Sequence, residues 1–274
     1  MDDVHWRAIP EPYARDANAR LLHALERGEL HAALFCVGKN VEDSTGSAIA
    51  QSWGAAGHII ANHTYSHQPY TEIDAVAFGE DFLRCDAIVE KFTGFRKLFR
   101  FPALKEGKTA AKRDWMRTFL REHGYHNGHV TVDASDWYYD ARLRQRLQKE
   151  PSFDVARYRQ PYLDHIWDRA TYYDGLARRA LGRTIPHTLL IHYNLLNSLF
   201  LGDLLSMFRD KGWKPIDASE AFTDPIFKSE PKIVPAGESL IWALAKESGK
   251  FDGELRYPGE DDVYERPKLD RLGL

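Results

Sequence analysis

The sequence predicts a parallel α/β sheet or barrel. Short apolar runs alternate with amphipathic segments at helical spacing, and the joints between them are short and marked by glycine. In addition, a polar signature follows directly on most of the predicted strands. The C-terminal strand ends of an α/β barrel are where its functional face lies.

The elements follow in order. Residues 16–28 place Ala17, Leu21, Leu22 and Leu25 at helical spacing and stop at Gly28, which predicts a helix with a glycine end. The apolar run 32–37 predicts a buried strand. Residues 48–56, closed by Gly57, are a second helix, and a strand is expected over 58–62. A helix over 74–93 precedes a strand over 98–101, and a helix over 110–123 precedes a strand over 129–132. Residues 154–181 are a long helical region, and 188–192 form a strand ending in His192. Beyond residue 221 the character changes. Pro225, Pro231, Pro235, Pro258 and Pro267 predict an irregular tail over 222–274, packed on a barrel of residues 1–221.

Composition narrows the function classes. The 274 residues carry 37 Lys+Arg against 40 Asp+Glu, a net charge of -3, which leaves no electrostatic footprint for nucleic acid. The 43% hydrophobic content suffices for a real core, and the 12% aromatic content suits either a sugar-binding surface or aromatic packing. The most apolar stretch, 189–205, is interrupted by His192, Asn194, Asn197 and Asp203, so no membrane span is expected. Cys36 and Cys85 cannot make a disulfide framework. No signal-peptide core precedes Asp2-Asp3, and there is no GxSxG elbow, P-loop or GxGxxG.

Five polar signatures sit at strand ends or, in the first case, at the chain's start: Asp2-Asp3, His63-Thr64-Tyr65-Ser66-His67, Arg100-Phe101-Pro102, Asp133-Ala134-Ser135-Asp136-Trp137, and His192. His63 and His67 have the spacing that puts two imidazoles on one side of a helical turn. With a carboxylate from another strand end they would make a His₂-carboxylate metal set with a position left for water. Tyr65 and Ser66 are not bases, so the base must come from elsewhere; the paired aspartates could divide ligation and proton transfer. The run His123, His126, His129 also has ligand-like spacing, but Gly124, Asn127 and Gly128 make it a loop. Residues 142–149, rich in arginine, read as a solvated helix face.

Taken in register over residues 2–192, these signatures resemble the motifs of polysaccharide deacetylases with a NodB-homology domain, carbohydrate esterase family 4. The most specific match is HTYSH after Gly57-His58 and Asn62. The resemblance implies a distorted (β/α) barrel and a metal-dependent hydrolase that removes acetyl groups from N-acetylated sugars of peptidoglycan or chitin type. It implies that Asp3, His63 and His67 hold a divalent metal, most often zinc, with Co, Mn or Ni as alternatives. Asp2 would be the general base and Arg100 its partner, and the backbone N–H of Ala103 would help hold the oxyanion. His192 would be the acid, oriented by Asp136 rather than Asp133, and Trp137 and Leu190 would wall the acetyl pocket. The family's aspartate pair usually ends a first strand, whereas only Met1 precedes Asp2 here. A lacking or truncated first strand is therefore expected, with export or a periplasmic location if the start is clipped. Two rival readings are a catalytically impaired carbohydrate-binding member and a metal amidohydrolase of another small acylated substrate.

Overall fold

A computed structural model describes residues 1–256 and 261–274; Pro258, with the rest of 257–260, lies outside the described residues. In chain order the elements begin β1 (Asp2–Asp3), α1 (Ala14–Arg27), β2 (Ala33–Cys36), α2 (Gly38–Val41), α3 (Ser44–Ala55) and β3 (Ile59–Asn62). They continue through α4 (Ala75–Val89), β4 (Phe95–Phe99), β5 (Lys105–Gly107), α5 (Ala110–Glu122), β6 (His126–Asn127) and α6 (Asp136–Lys149). The remainder is α7 (Arg159–Leu181), α8 (Leu195–Asp210), α9 (Ala218–Ala221), β7 (Ala236–Gly237), α10 (Leu240–Ser248) and α11 (Arg266–Arg271).

Local chemistry explains several helix starts. The side chains of Asp43, Asp74, Thr109 and Asn194 accept backbone N–H groups in the first turns of α3, α4, α5 and α8, satisfying donors that have no intrahelical partner. Helix α1 buries Ala17, Leu21 and Leu25, one stripe at i, i+4, i+8, and packs against α8. Each such leucine contributes about 1.5–3 kcal/mol by leaving water.

The main sheet is parallel, in the order β1-β2-β3-β4-β6, as expected for alternating helices and strands. The first strand is present but only two residues long: Asp2 is opposite Phe35 and Asp3 opposite Cys36. Two expected strands differ. Pairing with β4 engages His126 and Asn127 rather than 129–132, so His126 belongs to a strand and not to a loop. Residues 188–192 form no continuous ladder; Leu189 bridges Val132 and His192 bridges Asp2, each by a single parallel pair. This segment therefore lies between the chain after β6 and β1, the two edges of the sheet, and it carries His192 to the side of Asp2.

Residues 222–256 and 261–274 are tied to the sheet-and-helix body. Strand β7 pairs antiparallel with β5, and Arg117 of α5 donates to the Pro231 carbonyl at 2.9 Å. The arginine face of α6 is not simply solvated. Arg142 pairs with Asp270 at 2.7 Å and Arg146 donates to the Gly273 carbonyl at 2.6 Å, so it docks the C-terminal segment. Among the described residues no helix is long and apolar enough to cross a membrane.

Candidate active site and metal centre

The ends of β1 and β3 bring three groups to one point. Asp3 Oδ1 lies 3.4 Å from His63 Nε2 and 3.2 Å from His67 Nε2, and one ligand atom from each residue falls within 4.8 Å of the others. That carboxylate oxygen is buried and has no hydrogen-bond partner. The spacing fits one small ion: with bonds of about 2.0–2.1 Å, neighbouring ligands of a tetrahedral centre are roughly 3.3–3.4 Å apart. His63 Nδ1 is 2.7 Å from the Arg100 carbonyl, which fixes the proton on Nδ1 and leaves Nε2 free to ligate. Among the described residues this is the only such His/Cys/Asp/Glu group, and the His123, His126, His129 run does not form one.

The HTYSH segment is not a helical turn. Thr64 and His67 have φ of 61° and 62°, so the chain doubles back between the two histidines. Asn62 Oδ1 accepts the Thr64 N–H at 2.9 Å, and Asp81 Oδ2 accepts the N–H groups of Tyr65 and Ser66. These side-chain acceptors give the backbone an alternative to helical bonding. Six of the eight non-glycine residues with positive φ among the described residues (Asp3, Val4, Thr64, His67, Ala103 and Leu104) border this site. Such strain concentrates where surrounding contacts hold a functional geometry in place.

Asp2 also approaches this group, with Oδ2 3.7 Å from His63 Nε2, but its main partner is Arg100. Asp2 Oδ1 is 2.5 Å from Arg100 Nη1, and both residues are buried. Arg100 is itself pinned, donating from Nε to the Gly128 carbonyl at 2.9 Å and lying over the Phe35 ring at 3.8 Å. Burial opposes charge on Asp2, but Arg100 and then His63 outweigh it and its pKa lies below the usual value. For Asp3, burial likewise raises the pKa, yet contact with His63 and His67 takes it well below the ordinary range.

Across from these groups, His192 Nδ1 is 2.7 Å from Asp136 Oδ1, while Asp136 Oδ2 accepts the His192 backbone N–H at 2.9 Å. Burial would drive the imidazole toward neutrality, but Asp136 overcomes it and raises the His192 pKa to about 10. Asp133, by contrast, is pushed toward protonation by burial, with Arg169 opposing. The bidentate contact thus belongs to Asp136.

The remaining expected residues take different places. Ala103 is exposed at φ 50° directly after Pro102. Trp137 stands 44% exposed on the first turn of α6, and Leu190 is buried with Leu104 and Val130. Sequence reasoning missed Asn194 and Asn197, whose Nδ2 groups donate to Asp136 Oδ2 at 3.1 and 2.7 Å. Asn197 also donates to the His192 carbonyl. The available signal was a polar residue within the apolar run of α8, fully buried in the fold. Phe35 and Gly128, which seat Arg100, carried no such signal.

The sequence profile of the polysaccharide deacetylase family matches residues 3–127. Over those residues, fewer than half of the chain, the sequence is similar to the polysaccharide deacetylase family. Similar solved structures include a mutant, with restored enzymatic activity, of a family 4 carbohydrate esterase pseudoenzyme from Bacillus anthracis (TM-score 0.55, 16% identity, 81% of this chain and 65% of that one). Others are the family 4 carbohydrate esterase from Streptomyces lividans in complex with acetate (0.51, 20%, 81% and 92%) and the peptidoglycan deacetylase PdaC from Bacillus subtilis (0.52, 18%, 81% and 87%). At these identities they establish a shared fold, that of the polysaccharide deacetylases. The chain spans 65% of the length of the first of them. No match is found among curated proteins.

Proposed function

We propose that this protein is a metal-dependent hydrolase that removes acetyl groups from N-acetylated sugars of peptidoglycan or chitin type. The observation that carries the reading is the meeting of two devices at the Asp2–Asp3 pair. A buried, unpartnered Asp3 oxygen converges with two imidazole nitrogens, and a carboxylate-paired His192 sits beside Asp2.

Asp3, His63 and His67 would hold a divalent ion, which when bound would supply Lewis acidity toward water and the acetamide carbonyl. Asp2, kept ionised by Arg100, accepts a proton from the attacking water. The N–H of Ala103 donates to the oxygen that gains charge as the carbonyl becomes tetrahedral; one such donor is worth about 10²–10³ in rate. His192, protonated through its pairing with Asp136, gives its proton to the departing amine, because an amide nitrogen leaves poorly as an anion. The C–N bond breaks, and acetate and the free amino sugar are released. Trp137 and Leu190 wall the acetyl group.

The test is acetate release from N-acetylglucosamine oligomers after chelation and reloading with zinc or cobalt. Metal-dependent release supports the reading. No release with metal bound supports carbohydrate binding without turnover instead. Faster release from small N-acyl amides than from oligosaccharides would point to a different acylated substrate.

A further inference from the structure

A buried carboxylate that the proposed reaction does not use lies behind the acid. Glu265, fully buried just before α11, accepts the Tyr139 hydroxyl at 2.8 Å and sits 3.3 Å from His165 Nδ1. His165, on α7, is itself buried, and its Nε2 accepts the backbone N–H of Ser135 at 2.9 Å. Because Nε2 accepts, the ring proton must be on Nδ1, facing Glu265. Ser135 is the residue at the mouth of α6, and the next residue is Asp136, which holds His192 at 2.7 Å. Tyr139 lies on the same helix one turn further on, stacked on the His165 ring with centroids 4.9 Å apart.

We propose that Glu265 is a positioning residue for His192, acting through His165 and Tyr139 on the first turn of α6. This inference rests on the deacetylase reading above. The physical need is specific. Asp136 is the first residue of its helix, so its direction is set by where Ser135 and the first turn lie. The Ser135 N–H has no intrahelical acceptor, and burial away from water would make leaving it unpaired costly. A neutral His165 supplies that acceptor only while its other nitrogen is kept protonated, and the carboxylate of Glu265 favours that tautomer. Loss of the negative charge frees His165 to turn or to change tautomer, and the Ser135–Asp136 corner loses its fixed seat. The C-terminal segment would thereby contribute to the proposed active site without touching substrate.

The experiment compares wild type with Glu265→Gln, which keeps size and an acceptor for Tyr139 but removes charge, each also in an Asp136→Asn background. Glu265→Gln is expected to lower kcat about tenfold, with KM and zinc affinity within twofold. In the Asp136→Asn background the further drop should vanish, since the link to His192 is already cut. His165→Asn, a second variant that removes the acceptor without touching Glu265, should reproduce the kcat loss. The downfield proton resonance of the His192 Nδ1–H, assigned by its loss in His192→Ala, should shift in Glu265→Gln. An unchanged kcat, or an equal drop in both backgrounds, overturns the proposal. If the wild type releases no acetate from any substrate, the deacetylase reading fails separately. The His192 resonance then decides: a shift upholds the positioning link, and an unmoved signal ends it.

Discussion

Asp136 grips His192 twice, by the ring nitrogen at 2.7 Å and by the backbone N–H at 2.9 Å, and is completely buried while doing so. The double contact fixes the ring's rotation and tautomer, directing Nε2 away from Asp136. Replacing Asp136 by Asn keeps the shape and removes the charge that sustains the imidazolium. Turnover is expected to fall by about 10²–10⁴ while bound zinc stays at wild-type stoichiometry. His192→Ala should do the same, and steady-state kinetics with metal analysis on both variants checks the assignment.

The metal set makes a complementary prediction. His63→Ala and His67→Ala should each lose metal at concentrations where wild type is saturated, because two ligands cannot close the site. Asp2→Asn should keep its metal and lose turnover. Equilibrium dialysis with zinc separates the two classes; an Asp2→Asn protein that fails to hold metal would contradict the division of labour between the two aspartates.

Asn197 donates to both Asp136 and the His192 carbonyl from one buried amide. Truncation to Ala would leave buried acceptors short of donors. A stability loss of about 1–3 kcal/mol is expected, together with reduced kcat. Urea denaturation and kinetics read the two effects independently.

Gly128 seats Arg100 at a close approach. A Cβ there would stand 2.4 Å from Cζ of Phe35, the ring on which Arg100 lies. Gly128→Ala must displace that ring, at about 1–3 kcal/mol, and move the guanidinium that holds Asp2. Lower thermal stability with a kcat loss larger than that of an Ala substitution at exposed Gly253 is the expected result.

Glu265 carries a pH signature. Burial works against its charge, but contact with His165, Tyr139 and Lys268 brings its pKa down to about 2 from the usual 4.5. The folded pKa is depressed, so the stabilisation is present in full above about pH 4.5. It is lost as pH falls toward 2. Thermal melts should show wild type ahead of Glu265→Gln at pH 6, with the gap closing between pH 4.5 and 2.

Much of the fold was legible because its signals are local. The stripe of Ala17, Leu21 and Leu25, the glycine end at Gly28 and the apolar run that forms β2 each follow from side chains close in sequence. Where pairing depends on a distant partner, the reading drifted. His126 and Asn127 pair with β4, whereas the strand was expected over 129–132, and the run ending in His192 makes single bridges rather than a ladder. The HTYSH turn likewise owes its shape to Asp81, a residue outside the motif.

By itself the sequence determined the alternation of helix and strand, the order of the five polar signatures and the residue types that the proposed hydrolase would use. Those are properties of composition and spacing along the chain. Tertiary structure alone decided that Asp2 and Asp3 form a two-residue strand, and that of the two Asp2 takes Arg100 while Asp3 reaches both histidines. It also decided that Asp136 rather than Asp133 holds His192, and that Glu265 lies behind both. The reason is geometric. Alternate residues of a strand point to opposite sides, and a helix turns each successive side chain by about 100°. Which of two neighbouring carboxylates meets a partner dozens of residues away therefore depends on how the elements pack.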